Sequence, residues 1–186
     1  MENQINNKLA VIRRVMVDRG MAALVITSSD PHQSEYLADH WKTRQWITGF
    51  TGSAGTAVVT LDQALLWTDF RYWIQAQNQI LGSEFKLMKQ GEPQVKDVDL
   101  WLVENLAPKS RVAMDGQVAS VSLVRKFRKK LETKKIALVT EFDLIKDLWT
   151  DRPPIPHTRA WDFSVDFAGK SRQAKLETIR KAMAES

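Results

Sequence analysis

The residues best suited to binding chemistry in this sequence lie around Arg71, in the run Trp67-Thr68-Asp69-Phe70-Arg71-Tyr72. The pattern predicts that a strand ends and a helix begins within this run, at the edge where α/β sheets place their ligands. An arginine at that edge is always charged and can donate two parallel hydrogen bonds to a carboxylate. Capping of the helix would explain Thr68 or Asp69 without a ligand, and Arg71 could simply pack on Tyr72. A binding role and a structural role for Arg71 therefore both stay open.

A metal site has one candidate group, which consists of His32, Glu35, Asp39 and His40. The four residues fall within nine positions, and the spacing i, i+3, i+7 would align three of them on one helix face. Polar surface helices often carry such spacing by accident, so we favour a solvated helix face over a metal ion at this position.

Other catalytic classes find little support in the sequence. The chain has no cysteine, which excludes thiol catalysis, a disulfide framework and cysteine-ligated zinc. It has no G-x-S-x-G motif, and no Gly-Lys-Ser/Thr follows the G-x-x-G-x-x-G run from Gly49 to Gly55. Because that run precedes a predicted strand, its glycines are interpreted as tight turns or as close approaches between chain segments.

The net charge of +5 originates in residues 125–135, which contain seven basic residues and one acidic residue. Within and just before this segment, Leu123, Val124, Phe127 and Leu131 recur at helical spacing, so an amphipathic helix with a buried apolar stripe is predicted. The basic side chains then form its solvated face, and no nucleic-acid partner is expected.

Hydropathy gives no sign of a membrane segment. No run approaches 18 uninterrupted apolar residues, and the first eight residues are polar and lack the apolar core of a signal peptide. We therefore expect a cytoplasmic protein with no membrane partner.

The predicted elements that position Arg71 alternate between strands and helices. Strands are predicted at 22–26, 56–61, 64–68, 85–88, 111–114 and 135–139, and helices at 70–80, 98–106 and 120–131. A first helix is expected to begin at a cap on Asn6 or Asn7 and to end before Gly20. The predicted fold class is α/β, with a mixed, mostly covered β-sheet flanked by helices.

The domain organisation is expected to have three parts. An α/β domain is predicted over residues 1–150, a proline-rich linker over 151–170 and one extra helix over 171–186.

The last predicted helix repeats the first. Lys8-Leu9-x-x-Ile12-Arg13-x-x-Met16 matches Lys175-Leu176-x-x-Ile179-Arg180-x-x-Met183 at an offset of 167 residues. Amphipathic helices share composition, which could produce this match, but we interpret the last helix as the first helix of a truncated second, similar domain. Its apolar residues are then expected to fray or to bury against a neighbouring molecule.

Several blocks resemble the N-terminal region of the three-domain Xaa-Pro aminopeptidases (aminopeptidase P). They are Ser29-Asp30-Pro31-His32-Gln33-Ser34-Glu35-Tyr36, Trp46-Ile47-Thr48-Gly49-Phe50-Thr51-Gly52-Ser53-Ala54-Gly55-Thr56, and Trp67-Thr68-Asp69-Phe70-Arg71-Tyr72. Residues 145–153 resemble the end of that family's first domain, and Ala168-Gly169-Lys170-Ser171 resembles the start of its second. The blocks occur in family order over nearly the whole chain.

The resemblance implies a creatinase/prolidase N-terminal-like domain without catalytic residues or metal ligands of its own. In the family, two such domains precede a C-terminal domain that holds two divalent metal ions, usually Mn²⁺. The full-length enzyme removes the residue that precedes proline at a peptide's N-terminus, and its N-terminal domains shape the substrate cleft and a homodimer. Arg71 matches the family arginine of a Thr-Asp-x-Arg-Tyr motif that reaches the substrate side, with Phe70 in place of the usual glycine.

A second class stays open. The same C-terminal architecture also occurs in non-catalytic binding modules, so the chain could belong to such a relative. Metal ligands encoded further along the gene would distinguish the enzyme from the binding module.

Overall fold

The computed structural model describes residues 2–185, in which a six-stranded sheet carries helices on both faces. The strands are β1 (Ala23–Thr27), β2 (Thr56–Thr60), β3 (Ala64–Thr68), β4 (Phe85–Lys89), β5 (Arg111–Met114) and β6 (Ala137–Val139). The α-helices are α1 (Glu2–Asp18), α2 (Thr43–Thr48), α3 (Trp73–Gln79), α4 (Val98–Asn105), α5 (Val121–Leu131), α6 (Val165–Ala168) and α7 (Arg172–Glu185). Short 3₁₀ turns lie at Asp39–Trp41, Phe70–Tyr72 and Glu132–Lys134.

The strand order in the sheet is β4-β3-β2-β1-β5-β6. Strand β2 runs antiparallel to β1 and β3, and the other neighbouring strands are parallel. A tight turn joins β2 to β3, where the Thr60 N–H donates to the Gln63 carbonyl at 2.8 Å. The predicted mixed α/β sheet is confirmed.

Alternating side chains of the strands belong to two separate hydrophobic cores, one on each face of the sheet. In β1, Leu24 and Ile26 belong to the cluster that contains the buried face of α1, whereas Ala23 and Val25 belong to the cluster beneath α4 and α5. Because both faces of β1 are covered, its sequence is continuously apolar, as is typical of the central strands of a covered sheet.

The predicted amphipathic helix is α5. The Ser120 hydroxyl accepts a hydrogen bond from the Leu123 N–H and caps its N-terminus, and Phe127 and Leu131 are buried. The basic residues that end the helix extend its solvated face, in line with the sequence prediction.

Three elements begin two or more residues away from the predicted position: α1, β6 and α3, which starts at Trp73 after a 3₁₀ turn and not at residue 70. Helix α1 already includes Glu2, since Ile5 extends the buried stripe by one turn, and the Asn6 side chain accepts from the Glu84 N–H instead of capping the helix. Strand β6 begins at Ala137 and not at 135, because Lys135 has a φ of +56° and the Ile136 N–H still donates to the Leu131 carbonyl.

Tertiary contacts divide the chain into one unit that ends at Ile155 and a second that starts at Pro156. Residues 151–155 stay with the first unit because Arg152 holds them. Its Nε donates to the His40 carbonyl at 2.8 Å, and its Nη1 lies 2.8 Å from Asp143 Oδ2. His40 Nδ1 also lies 2.6 Å from the Pro153 carbonyl oxygen.

The second unit contains α6 and α7. Trp161, Phe163 and Phe167 form a chain of ring contacts, and Ser164 caps α6, a short helix that the sequence analysis missed. Leu176 and Ile179 on α7 are 48% and 55% exposed. No helix within residues 2–185 is both long and apolar enough to cross a lipid bilayer.

Candidate functional site

One edge of the sheet gathers the residues with binding potential. Because β1 and β3 are parallel and β2 runs between them in the opposite direction, the ends of β1 and β3 meet the start of β2. Two hydroxyls join the loops at this edge: Ser28 Oγ donates to the Gly55 carbonyl at 2.9 Å, and Thr68 Oγ1 donates to the Ala54 carbonyl at 2.7 Å. Ligands of α/β proteins bind outside the carboxyl ends of the parallel strands, which is this edge.

Residues 49–55, here called the glycine loop, are held close to neighbouring chain segments. A Cβ on Gly52 would lie 2.2 Å from the Phe50 ring and 2.8 Å from the Tyr72 ring, and a Cβ on Gly55 would lie 2.9 Å from the Trp67 carbonyl oxygen. The prediction that these glycines permit close approach is therefore confirmed at both positions.

Arg44 of α2 is buried beneath the glycine loop and fixes it. Its Nε donates to Ser28 Oγ and its Nη1 to the Phe50 carbonyl, both at 2.7 Å, and its Nη2 donates to the Gly52 carbonyl. Burial lowers the pKa of Arg44 to about 10, so the side chain is still charged at neutral pH. No sequence motif marks this role, because two of the three acceptors are backbone carbonyls, which any residue provides.

Arg71 lies on the turn formed by residues 69–72, here called the Arg71 turn. Asp69 Oδ1 accepts from the Arg71 backbone N–H at 3.1 Å and from Nε at 2.8 Å, and Oδ2 accepts from Nη2 at 2.7 Å. The Arg71 guanidinium carbon lies 5.3 Å from the centre of the Tyr72 ring. Asp69 thus caps the turn, as the structural interpretation required, and also holds the arginine side chain.

The charges of this pair stabilise each other. Hydrogen bonds from the Arg71 side chain lower the pKa of Asp69, and the same bonds raise the pKa of Arg71. Both groups are therefore ionised at neutral pH. Phe70, which replaces the glycine of the resembling motif, does not adopt a positive φ, and its side chain is 74% exposed, so the turn accommodates it.

Tyr72 links the Arg71 turn to a cleft of about 160 Å³. Tyr72 Oη lies 2.7 Å from Ser53 Oγ, and Ser53 lines the cleft. Glu35 and Tyr36 of the loop after β1 also line it, together with Arg44. The cleft is therefore lined by hydroxyl groups and a carboxylate, and the contact between Ser53 and Tyr72 connects it to the Arg71 turn.

The sequence-predicted metal candidates are not arranged as a metal site. His32, Glu35, Asp39 and His40 were aligned on the assumption of a helix, but only the 3₁₀ turn Asp39–Trp41 forms there. Asp39 instead pairs with Lys42 at 2.5 Å, and His40 contacts Pro153. In the part of the chain that the structure describes, no three His, Asp or Glu side chains are grouped to hold a metal ion.

A second cavity at the same edge, of about 650 Å³, lies beyond β5 and β6 and was not predicted from the sequence. Asp115, Asp143 and Arg152 line it. Burial raises the pKa of Asp115; the nearby Asp143 also raises it, and Arg152 opposes the shift. These residues come from distant parts of the sequence, so no local motif marks them.

Comparison with known proteins gives the family of this fold. Residues 8–148 match the family described as the Creatinase/Prolidase N-terminal domain. The chain belongs to this family, as the resemblance predicted.

Relatives that match nearly the whole chain are aminopeptidases. Aminopeptidase P1 of Lotus japonicus is 37% identical over 184 residues, which cover 97% of this chain and 28% of that protein. Xaa-Pro aminopeptidase 2 of Homo sapiens is 34% identical over 94% of this chain and 26% of its own length. The chain thus spans about a quarter of the curated relatives it matches.

A solved structure agrees over the whole chain. The X-prolyl aminopeptidase of Caenorhabditis elegans, described as a cytosolic enzyme with a di-nuclear active site, superposes with a TM-score of 0.83 at 33% identity. The match covers 100% of this chain and 31% of the C. elegans chain. These residues therefore correspond to the N-terminal, creatinase-like part of such enzymes.

Proposed function

We propose that this chain is the non-catalytic N-terminal domain of a metal-dependent Xaa-Pro aminopeptidase, which removes the residue that precedes proline at a peptide's N-terminus. The observation that carries the proposal is the agreement with the C. elegans X-prolyl aminopeptidase over the entire chain. The relatives in plants, fungi and animals that match nearly the whole chain also bear Xaa-Pro aminopeptidase or aminopeptidase P names.

The catalytic metal ions of the proposed enzyme belong outside these residues. The described part of the chain does not fit a metal ion, because it groups no three suitable side chains. We propose two divalent ions, of manganese, in a C-terminal domain of the full-length protein, by analogy with the di-nuclear site of the C. elegans enzyme. A cytoplasmic location and a homodimer are part of the same proposal.

Arg71 is the residue that we propose to contact the peptide substrate. It lies at the ligand-binding edge of the sheet, its side chain is 59% exposed, and it is held in one orientation by Asp69. A peptide offers carbonyl oxygens and a terminal carboxylate, all of which accept hydrogen bonds from a guanidinium group. In this role Arg71 orients the substrate and takes no part in bond cleavage.

The second unit is proposed to open a further domain similar to the first. The stripe Leu9, Ile12 and Met16 is buried in α1, and the repeat places Leu176 and Ile179 of α7 at the first two of those positions. In the full-length protein we expect the equivalent face of α7 to pack on its own sheet.

The direct test is activity of the full-length protein that contains these residues. Wild-type protein loaded with Mn²⁺ is expected to release the first residue from an Xaa-Pro peptide. Replacement of Arg71 by Ala should lower kcat/KM about tenfold to a hundredfold, as expected for loss of a charge-assisted hydrogen bond, and leave metal content unchanged.

Two outcomes would count against the proposal. Absence of turnover in a folded, metal-loaded full-length protein would favour a non-catalytic binding module. Unchanged kcat/KM in a well-folded Arg71→Ala enzyme would leave Arg71 with only its contacts to Asp69 and Tyr72. Arg71→Lys should recover only part of the activity, because an ammonium group lacks the planar fork.

A further inference from the structure

Asp69 uses one defined edge of the Arg71 guanidinium. Its two oxygens accept from Nε and Nη2, at 2.8 and 2.7 Å, so the carboxylate binds the side of the fork. The same carboxylate also accepts from the Arg71 backbone N–H, which ties the start and the end of the arginine side chain to one group. The guanidinium therefore has little freedom to rotate.

The donors that remain on Arg71 all point away from Asp69. A guanidinium has five N–H donors, and the side-on pair engages Nε and one hydrogen of Nη2. Within residues 2–185, Arg71 Nη1 has no hydrogen-bond acceptor. The Arg71 guanidinium carbon lies over the Tyr72 ring, 5.3 Å from its centre, and the Tyr72 hydroxyl is bonded to Ser53. A ligand can thus be reached through Nη1 and the outer hydrogen of Nη2.

The net charge of the pair limits what that ligand can be. The Asp69 carboxylate compensates the charge of Arg71 at a distance of 2.7 Å. An incoming carboxylate would be attracted by Arg71 and repelled by Asp69, whereas a neutral carbonyl oxygen needs only an oriented N–H donor.

We infer that Asp69 is a positioning residue that aims Nη1 of Arg71 at a neutral carbonyl oxygen of the bound peptide, and not at its C-terminal carboxylate. This inference rests on the proposed function, since it assumes that Arg71 contacts the substrate. Asp69 acts through Arg71 alone and does not touch the peptide.

The test is a double-mutant cycle on kcat/KM in the full-length enzyme, with Asp69→Ala, Arg71→Ala and the double variant. Asp69→Ala should reduce kcat/KM about tenfold, because the freed arginine must be ordered by the substrate. If Asp69 acts only through Arg71, the double variant should be no slower than Arg71→Ala. Asp69→Asn keeps an oxygen for the Arg71 backbone N–H, so it preserves the turn if the alanine variant folds poorly, and it should give a smaller loss.

A second readout is the comparison of one Xaa-Pro peptide with a free C-terminus and the same peptide amidated. Arg71→Ala should lower kcat/KM by a similar factor for both peptides, relative to the wild-type enzyme. In Asp69→Ala the unpaired Arg71 cation should attract the C-terminal carboxylate. The ratio of kcat/KM for the peptide with the free C-terminus to kcat/KM for the amidated peptide should therefore rise. A structural effect on the turn would lower both substrates equally and would not change this ratio.

The matched control is Glu84→Ala, which removes a carboxylate 2.7 Å from Arg13 at the opposite edge of the sheet, before β4. This variant should leave kcat/KM and the substrate ratio unchanged.

An Arg71→Ala enzyme with full activity would overturn the proposed function itself. Two results would overturn the positioning role and leave the proposed function standing, provided that Arg71→Ala is slow. The first is a folded Asp69→Ala enzyme with full activity, and the second is additive losses in the double variant. An unchanged substrate ratio in Asp69→Ala would overturn the preference for a neutral carbonyl.

Discussion

Two arginines lie at one edge of the sheet, and only one of them is paired with a carboxylate. Arg44 is 5% exposed and donates to two carbonyls and a hydroxyl, and no carboxylate within the described residues pairs with it. Arg71 is exposed and pairs with Asp69 through two atoms. A buried guanidinium with all its bonds directed inward fixes a loop, whereas an exposed one with an unused side can bind a ligand. The difference lies in the surroundings, since both residues are the same type.

Asp115 is a half-buried carboxyl whose charge the fold disfavours. Its Oδ1 accepts from the Gln117 N–H at 2.9 Å, but burial and the nearby Asp143 raise its pKa. A raised pKa means that the folded state binds the proton more tightly than the unfolded state. Stability therefore falls as pH rises from the unfolded pKa, about 3.9, through the raised folded value.

Asp115→Asn should stabilise the chain at pH 7, because it keeps the acceptor for Gln117 and removes the partly buried charge. The gain in free energy of unfolding should shrink toward zero below about pH 4, where the wild-type carboxyl is protonated in both states. Urea unfolding of both proteins at pH 4 and pH 7 measures this difference.

Asp143→Asn is the matched comparison for Asp115→Asn. Asp143 Oδ2 pairs with Arg152 at 2.8 Å, and both side chains are nearly buried, so its replacement should destabilise the chain. Equal effects of the two substitutions, or a gain for Asp115→Asn that does not depend on pH, would contradict the assignment of Asp115 as the disfavoured charge.

At the scale of elements, periodicity was enough to find the sheet and its longer helices. All six predicted strands form. The central strands β3, β2, β1 and β5 carry apolar runs that are buried on both faces, whereas the edge strand β4 exposes Lys86 and Lys89. Segments whose conformation depends on distant contacts were missed. The metal candidates at residues 32–40 could align only on a helix, yet His40 is held by Pro153 and by Arg152, more than a hundred residues away.

The candidate site was predictable only in part for the same reason. The position of Arg71 at a strand end follows from local pattern, and Asp69 was one of two candidate caps, beside Thr68. The side-on pair between them depends on the 3₁₀ turn Phe70–Tyr72, whereas a regular helix had been predicted from residue 70. Arg44 was missed altogether, because two of its three acceptors are backbone carbonyls of a loop whose path the sequence does not reveal.

The repeated helix gives a matched pair of substitutions. Leu9 of α1 is fully buried, so Leu9→Ala should cost about 2–5 kcal/mol of unfolding free energy. Leu176 holds the same place in the repeat but is 48% exposed, so Leu176→Ala in the 186-residue chain should change stability by about 0.5 kcal/mol or less. Denaturant titration of both variants measures the two values.

The same pair tests the proposal of a second similar domain. In the full-length protein, Leu176→Ala should cost about as much as Leu9→Ala does, roughly 2–5 kcal/mol, because α7 would then have its own sheet to cover. If Leu176→Ala also has no effect there, α7 does not take the place in a second domain that α1 takes in the first.

At the scale of the whole molecule, the proposed function assigns substrate binding and catalysis to different parts of the protein. The chain corresponds to 26–31% of the length of the relatives with which it aligns. Within that part, the residues beside Arg71 are poor agents of proton transfer. Both oxygens of Asp69 accept from Arg71 and its pKa is lowered, and the Tyr72 hydroxyl is bonded to Ser53. A general base needs a pKa near the working pH and a free acceptor atom, and Asp69 has neither.

The 186-residue chain is therefore expected to show no release of the first residue from an Xaa-Pro peptide, with or without added Mn²⁺. The full-length protein assayed on the same peptide and metal supplies the positive control, and peptide with metal alone supplies the blank. Turnover by the chain above that blank would mean that these residues hold a nucleophile and a base that the geometry around Arg71 does not provide. Inactivity of the chain beside an active full-length protein would instead place the chemistry outside this domain, as proposed.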